Sequence, residues 1–131
     1  MITFLTLLTI SILNVQLSFE QMLGKSKKEI QTIMNSSSEF NINNFGVSTN
    51  DNTLRYYNAK KDVTLIFYFN KSQNCMHIKW IEDIDAAEKK VQELNQKYKK
   101  SGKNWTTNTN NKNVIIELDK EEYNYSLNYH Y

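Results

Sequence analysis

The chain has 131 residues, long enough for one domain with a real core and too short for two ordinary ones. A formal net charge of +2 gives only a weak field, which removes nucleic acid from the expected partners. Eight Tyr and six Phe, with Ile, Leu, Val and Trp, can build an interior without a metal or staple, and the single Cys rules out a disulfide within the chain.

From Ile2 to Leu17 the residues are apolar or small and polar, with Thr3, Thr6, Thr9, Ser11, Asn14 and Gln16 diluting the run. A membrane-spanning helix wants about 20 predominantly apolar residues, and this stretch is shorter and punctuated. It reads as the apolar core of a secretory signal, with Ser18 the small residue at a cut before Phe19. Residues 1–18 are therefore expected to be a signal peptide, and 19–131 a single α+β domain exported to the periplasm or the extracellular space. Two features run against a signal: no Lys or Arg precedes the run, and Gln16 is not the small residue expected two positions before Ser18. The alternatives are an amphipathic or buried first helix, or an uncleaved segment that anchors a structural protein, the one circumstance in which a membrane becomes a partner.

Ser26 followed three residues later by Glu29 forms a capping-box pattern, in which the Ser side chain accepts from the Glu29 amide and the Glu carboxylate reaches back. A helix is predicted to start there, with Ile30, Ile33 and Met34 as its buried stripe and the Asn-Ser-Ser-Ser run from Asn35 ending it. The polar stretch up to Asn52 fits either a pinned loop or an irregular second helix. Three strands follow, Leu54–Tyr57, Val63–Phe69 and Cys75–Ile81, rich in β-branched and aromatic residues and separated by turn chemistry. In the third, Met76, Ile78 and Trp80 alternate with Cys75, His77 and Lys79, which predicts one greasy and one polar face. Asp83 or Asp85 can cap a second helix whose Ala87, Val91, Leu94 and Tyr98 form a stripe, with Lys99 and Lys100 near its end and Gly102 placed to close it. Trp105–Thr107, Val114–Leu118 and Tyr123–Tyr131 read as three further strands.

The predicted order is α-β-β-β-α-β-β-β, with no sequence repeat between the halves although the order of elements recurs. Strands that do not alternate singly with helices exclude a parallel doubly wound sheet. The expected fold is α+β, an antiparallel meander of about five to six strands with two helices packed on one face.

Cys75 and His77 stand two apart on a predicted strand and so share a face, and a thiol beside an imidazole is raw material for a nucleophile. Neither an oxyanion site nor a residue to orient the base is evident nearby, so a small thiol-dependent enzyme or redox protein stands as the alternative to a non-enzymatic domain. No metal and no cofactor is expected: His77 and His130 are the only histidines, no ligand pair stands beside either, and three scattered glycines cannot make a phosphate loop. His130, next to the C-terminus, reads as exposed and incidental. Tyr56, Tyr57, Tyr125 and Tyr129 are the candidate binding residues, since Tyr is favoured where a surface meets a partner. The bland reading of the last strand's tyrosines is that they form its core face.

Gly24, Ser26, Glu29 and Ile30, with the strands Leu54–Tyr57 and Val63–Ile81, resemble the small periplasmic domain of the SmpA/OmlA family, also called BamE, in which a Gly-x-Thr/Ser-x-x-Glu/Gln-Val/Ile helix start precedes an antiparallel meander. The resemblance runs from Gly24 to Ile81 and implies a component of outer-membrane protein assembly. The chain departs from that family in lacking its lipid-attachment cysteine, the proline usual after its helices, a clear second helix before the sheet and a counterpart to the part after Glu82. Two-helix, antiparallel-sheet domains also occur in the secreted β-lactamase-inhibitor type, which binds enzymes by surface complementarity, a likeness of fold alone. Taken together, these features lead to the expectation of an exported non-enzymatic domain that binds an envelope protein or ligand through its sheet face and loops. No pattern speaks to the oligomeric state.

Overall fold

A computed structural model describes residues 18–43 and 52–131. The expected signal segment, apart from Ser18, and residues 44–51 of the polar stretch lie outside the described residues. A 3-10 turn over Phe19–Met22 leads into helix α1 (Lys27–Asn35), and four strands follow: β1 (Asn41–Ile42), β2 (Thr53–Asn58), β3 (Val63–Phe69) and β4 (Cys75–Asp83). A second 3-10 turn, Ile84–Ala86, opens helix α2 (Ala87–Lys97), and another four strands complete the chain: β5 (Lys99–Ser101), β6 (Asn104–Thr109), β7 (Lys112–Lys120) and β8 (Asn124–His130).

Helix starts follow local chemistry. Ser26 accepts from the Glu29 backbone amide at 3.1 Å, and Asp83 accepts from the Asp85 amide at 2.8 Å, each satisfying a donor that the first helical turn leaves orphaned. Ile30 and Met34 on α1, and Ala87 and Leu94 on α2, are buried, as an amphipathic stripe requires.

All eight strands join one antiparallel sheet in the order β1-β2-β3-β4-β8-β7-β6-β5. This corrects the expected five to six strands and the α-β-β-β-α-β-β-β order: each helix is followed by four strands, and the sheet is not a simple meander, because β4 skips three strands to pair with β8. The missed strands β1 and β5 are two and three residues long and exposed, with Ile42 their only apolar residue. They are held by backbone pairing at the sheet's two edges, so no apolar alternation marks them. Gly102, with φ +62°, turns the chain between β5 and β6. It does not close α2, which ends at Lys97 and gives Lys99 and Lys100 to the edge strand.

Register sorts the side chains into rows, because successive residues of a strand point to opposite faces. One row runs Trp105, Ile116, Tyr129, Ile78, Phe67, Leu54 across β6, β7, β8, β4, β3 and β2, and the next runs Leu118, Leu127, Trp80, Leu65, Tyr56. These rows share one hydrophobic cluster with Ile30, Met34, Ala87 and Leu94, so both helices cover this face. Each such large side chain contributes about 1.5–3 kcal/mol when taken from water. The opposite face carries Thr106, Ile115, His130, His77, Tyr68, Thr53 in one row and Glu117, Asn128, Lys79, Ile66, Arg55 in the next. Among the described residues no helix packs on it.

Candidate functional site

The Cys75 and His77 side chains fall on opposite faces of the sheet. Between β3 and β4 the register shifts, so that Phe69 pairs with Cys75 while Tyr68 pairs with His77, and Met76 is the extra residue. A bulge of one residue reverses the face of everything beyond it. Cys75 is therefore 2% exposed within the core, while Met76 is 52% exposed. Burial pushes the Cys75 thiol up to about 12, and its sulfur lies 3.7 Å from the backbone carbonyl of His77 rather than against the imidazole. A thiol in that setting carries almost no thiolate at neutral pH.

Three of the four candidate tyrosines lie in the interior. Tyr56 is 1% exposed and its hydroxyl has no partner among the described residues. The Tyr125 hydroxyl donates to Glu82 Oε1 and accepts from Trp80 Nε1 at 3.2 Å, and Tyr129 packs against Phe19 with ring centroids 6.0 Å apart. Burial raises the pKa of all three. Tyr57 alone reaches the open face, where its hydroxyl donates to Asp62 Oδ1 at 2.6 Å.

On that open face, register assembles a different set, from β3, β4, β8 and β7. Tyr68 stacks on His77 with centroids 4.9 Å apart, and His77 Nε2 meets Asn128 Oδ1 at 2.8 Å. The Asn128 amide nitrogen faces Asp119 and Ser126, each at 3.4 Å, so its oxygen accepts and His77 donates from Nε2. His130, directly opposite His77 in the β4–β8 pairing, turns Nδ1 to the Tyr131 carbonyl at 2.9 Å and Nε2 to Glu117 Oε1 at 3.1 Å. Both of its nitrogens face acceptors, an arrangement that the doubly protonated ring satisfies best. The Tyr131 carbonyl, then Glu117, raise the His130 pKa against a counteracting burial, whereas burial and the neighbouring cations His130 and Lys79 lower that of His77, against a smaller rise from its bond to Asn128. The result is an ordered surface of aromatic, cationic, amide and carboxylate groups at the centre of the sheet. Sequence reading set His130 aside and missed Tyr68, Glu117 and Asn128, because only the cross-strand register brings them to His77.

The helix-covered side holds a cleft of about 1180 Å³ between α1 and α2. Phe19, Trp80 and Tyr129 contribute aromatic rings to it, and Lys90 Nζ stands 4.5 Å from the Trp80 ring centroid. Glu20, also in its lining, accepts from the Tyr98 hydroxyl at 2.8 Å and lies 3.9 Å from Lys97 Nζ. Burial raises the Glu20 pKa, but hydrogen bonds from Ser18, Tyr98 and its own backbone, with Lys97, outweigh it and hold the carboxyl below its ordinary value. Among the described residues no three His, Cys, Asp or Glu side chains are grouped to hold a metal ion, and no helix is long and apolar enough to cross a membrane. No protein-family model, curated protein or solved structure matches this chain.

Proposed function

We propose that the protein is an exported, non-enzymatic binding domain that engages an envelope protein through the open face of its sheet. The observation that carries this reading is that, among the described residues, both helices lie on one face of the eight-stranded sheet, and the other face presents side chains already fixed by one another. Preorganised groups lose less entropy on association than free ones, which is what a docking surface needs. Tyr and Arg, both present on this face, are enriched at protein interfaces. Export is supported by the apolar start with a small residue at Ser18, and the envelope by the likeness of Gly24–Ile81 to a periplasmic domain family.

The test is affinity capture from an envelope extract with the wild type and with Lys79→Glu and Glu117→Lys, two open-face changes outside the core. The reading expects one partner captured reproducibly by the wild type and lost by both variants while their near-ultraviolet circular dichroism is unchanged. A partner retained by both variants, or none across several extraction conditions, would overturn it. N-terminal sequencing is expected to begin at Phe19, and an intact Met1 in the membrane fraction would remove the export step.

A further inference from the structure

We propose that the open face docks a second copy of this chain, in a two-fold dimer whose axis runs along β8 over Asn128; this rests on the reading of that face as a docking surface and names its partner. Three residues of one row supply the complementarity. Glu117 on β7 pairs with Asn128 on β8, and Asn128 pairs with Lys79 on β4, so an acid and a base flank Asn128 one strand away on either side. Neighbouring strands lie about 4.8 Å apart, which sets the two positions about 10 Å from each other. They do not pair within the chain. Lys79 is half-buried and has no ion pair among the described residues. Glu117 reaches His130 through Oε1 and leaves Oε2 without a partner among the described residues, open to a second cation.

A two-fold interface joins one patch to itself, so that where one residue meets another, the second meets the first. In the sheet β4 and β7 flank β8, and β3 and β6 lie next beyond them. Rotation about β8 therefore lays β4 on the partner's β7 and β3 on the partner's β6. Lys79 then meets the partner's Glu117 and Glu117 the partner's Lys79, two charge pairs from one arrangement. In the adjoining row Ile115 comes over the partner's His77 and Thr106 over the partner's Tyr68, aliphatic groups against flat rings. His130 lies on the axis opposite its own copy, and Glu117, 3.1 Å away, offsets its charge. Other axes along the strands do less well. One along β4 or β7 sets Lys79 or Glu117 on its own copy, and one between β4 and β8 leaves both against the uncharged Asn128 and Ile66. Packed sheets keep their strands within about 30° of each other, which leaves the central contacts in place. The five central strands, β3, β4, β8, β7 and β6, offer roughly 550 Å² of flat area per copy, and side-chain relief brings this to the roughly 600 Å² per partner at which specific interfaces begin. A net charge of +2 puts little repulsion between the copies.

The test is sedimentation equilibrium at pH 8 of the protein as isolated from cells, comparing the wild type, Lys79→Glu, Glu117→Lys, an equimolar mixture of these two, and the chain carrying both changes. The wild type is expected to show a monomer–dimer equilibrium, and each single reversal to weaken it at least about tenfold, because like charges then meet twice in every dimer. Mixing the two variants, or combining both changes in one chain, sets opposite charges together again and is expected to recover association at least about fivefold over either variant alone. Should a reversal alter the near-ultraviolet circular dichroism, Lys79→Gln and Glu117→Gln replace it, each expected to weaken the dimer about threefold. A wild type that stays monomeric up to about 1 mM, association equal in every protein, or reversals that do not recover on mixing would overturn the dimer. If the wild type is monomeric yet captures an unrelated envelope protein that both reversals lose, the docking face stands and the second copy is ruled out as its partner.

Discussion

His77 and His130 face each other across the β4–β8 pairing with opposite demands on a proton. His130 has its pKa raised by the Tyr131 carbonyl and Glu117, so the stability it contributes is complete below its ordinary value of 6.5 and is lost as pH rises through the folded value. His77 has its pKa lowered by burial and by His130 and Lys79; its contribution is present above 6.5 and is lost as pH falls through the folded value. In a proton-detected titration His130 is therefore expected to titrate at higher pH than His77, and Glu117→Gln to move His130 downward; the reverse order would show that the ring environments are misassigned. His77→Gln should remove part of the acid-side loss of stability and His130→Gln part of the loss toward alkaline pH, both read from denaturant midpoints. Cys75 is the third residue whose chemistry its surroundings set. With its thiol held up to about 12, it should resist alkylation at pH 8 in the native state and react at the ordinary rate once guanidinium unfolds the chain. Rapid native labelling would contradict the buried placement. The pairing of Cys75 with His77 was legible as a spacing, but its meaning depended on Met76, whose extra place in the ladder carries no sequence mark of its own.

That same bulge decides the energetics of β4. Alternation along the strand puts Met76, Ile78 and Trp80 on one face, yet Ile78 is fully buried and Met76 half exposed. Ile78→Ala should therefore cost about 2–5 kcal/mol, from lost transfer energy plus the cavity, whereas Met76→Ala should stay within about 0.5 kcal/mol. Equal losses in chemical denaturation would mean that the bulge is absent. On α1, Ser26→Ala removes the acceptor for the Glu29 amide and is expected to cost about 1 kcal/mol. That cap was readable because its signal is local, confined to a Ser and a Glu three residues apart. The edge strands were not. Asn41–Ile42 and Lys99–Ser101 are strands only because β2 and β6 offer them backbone partners, a condition that no window of their own sequence contains. The lysines of β5 also discourage pairing with a further strand, so the polarity that hid this element has a physical role at an open edge.

At the scale of the whole molecule, each half is a helix followed by four strands, and the halves meet where β4 and β8 pair along seven residues, from His77–His130 to Asp83–Asn124. The sequence suggests a helix followed by three strands in each half, one strand too few, and does not show which strands join the halves. The contacts across this junction, Ile78 with Tyr129 and Trp80 with Leu127, belong to rows that run on into both halves and into one hydrophobic cluster. If one half unfolded alone, the other would expose those side chains together with an unpaired ladder of backbone groups. Leaving buried polar and apolar groups uncovered in this way is unfavourable on both counts. The halves should therefore unfold together, as expected for a chain of this length with a continuous core. Trp80 reports on the first half and Trp105 on the second, so Trp80→Phe and Trp105→Phe each leave one reporter. Within each variant, tryptophan emission and far-ultraviolet circular dichroism should trace a single coincident transition in urea. A fluorescence midpoint separated from the circular-dichroism midpoint in either protein would show that the β4–β8 pairing joins two independently folding halves, and the continuous core would then not be what holds the sheet together.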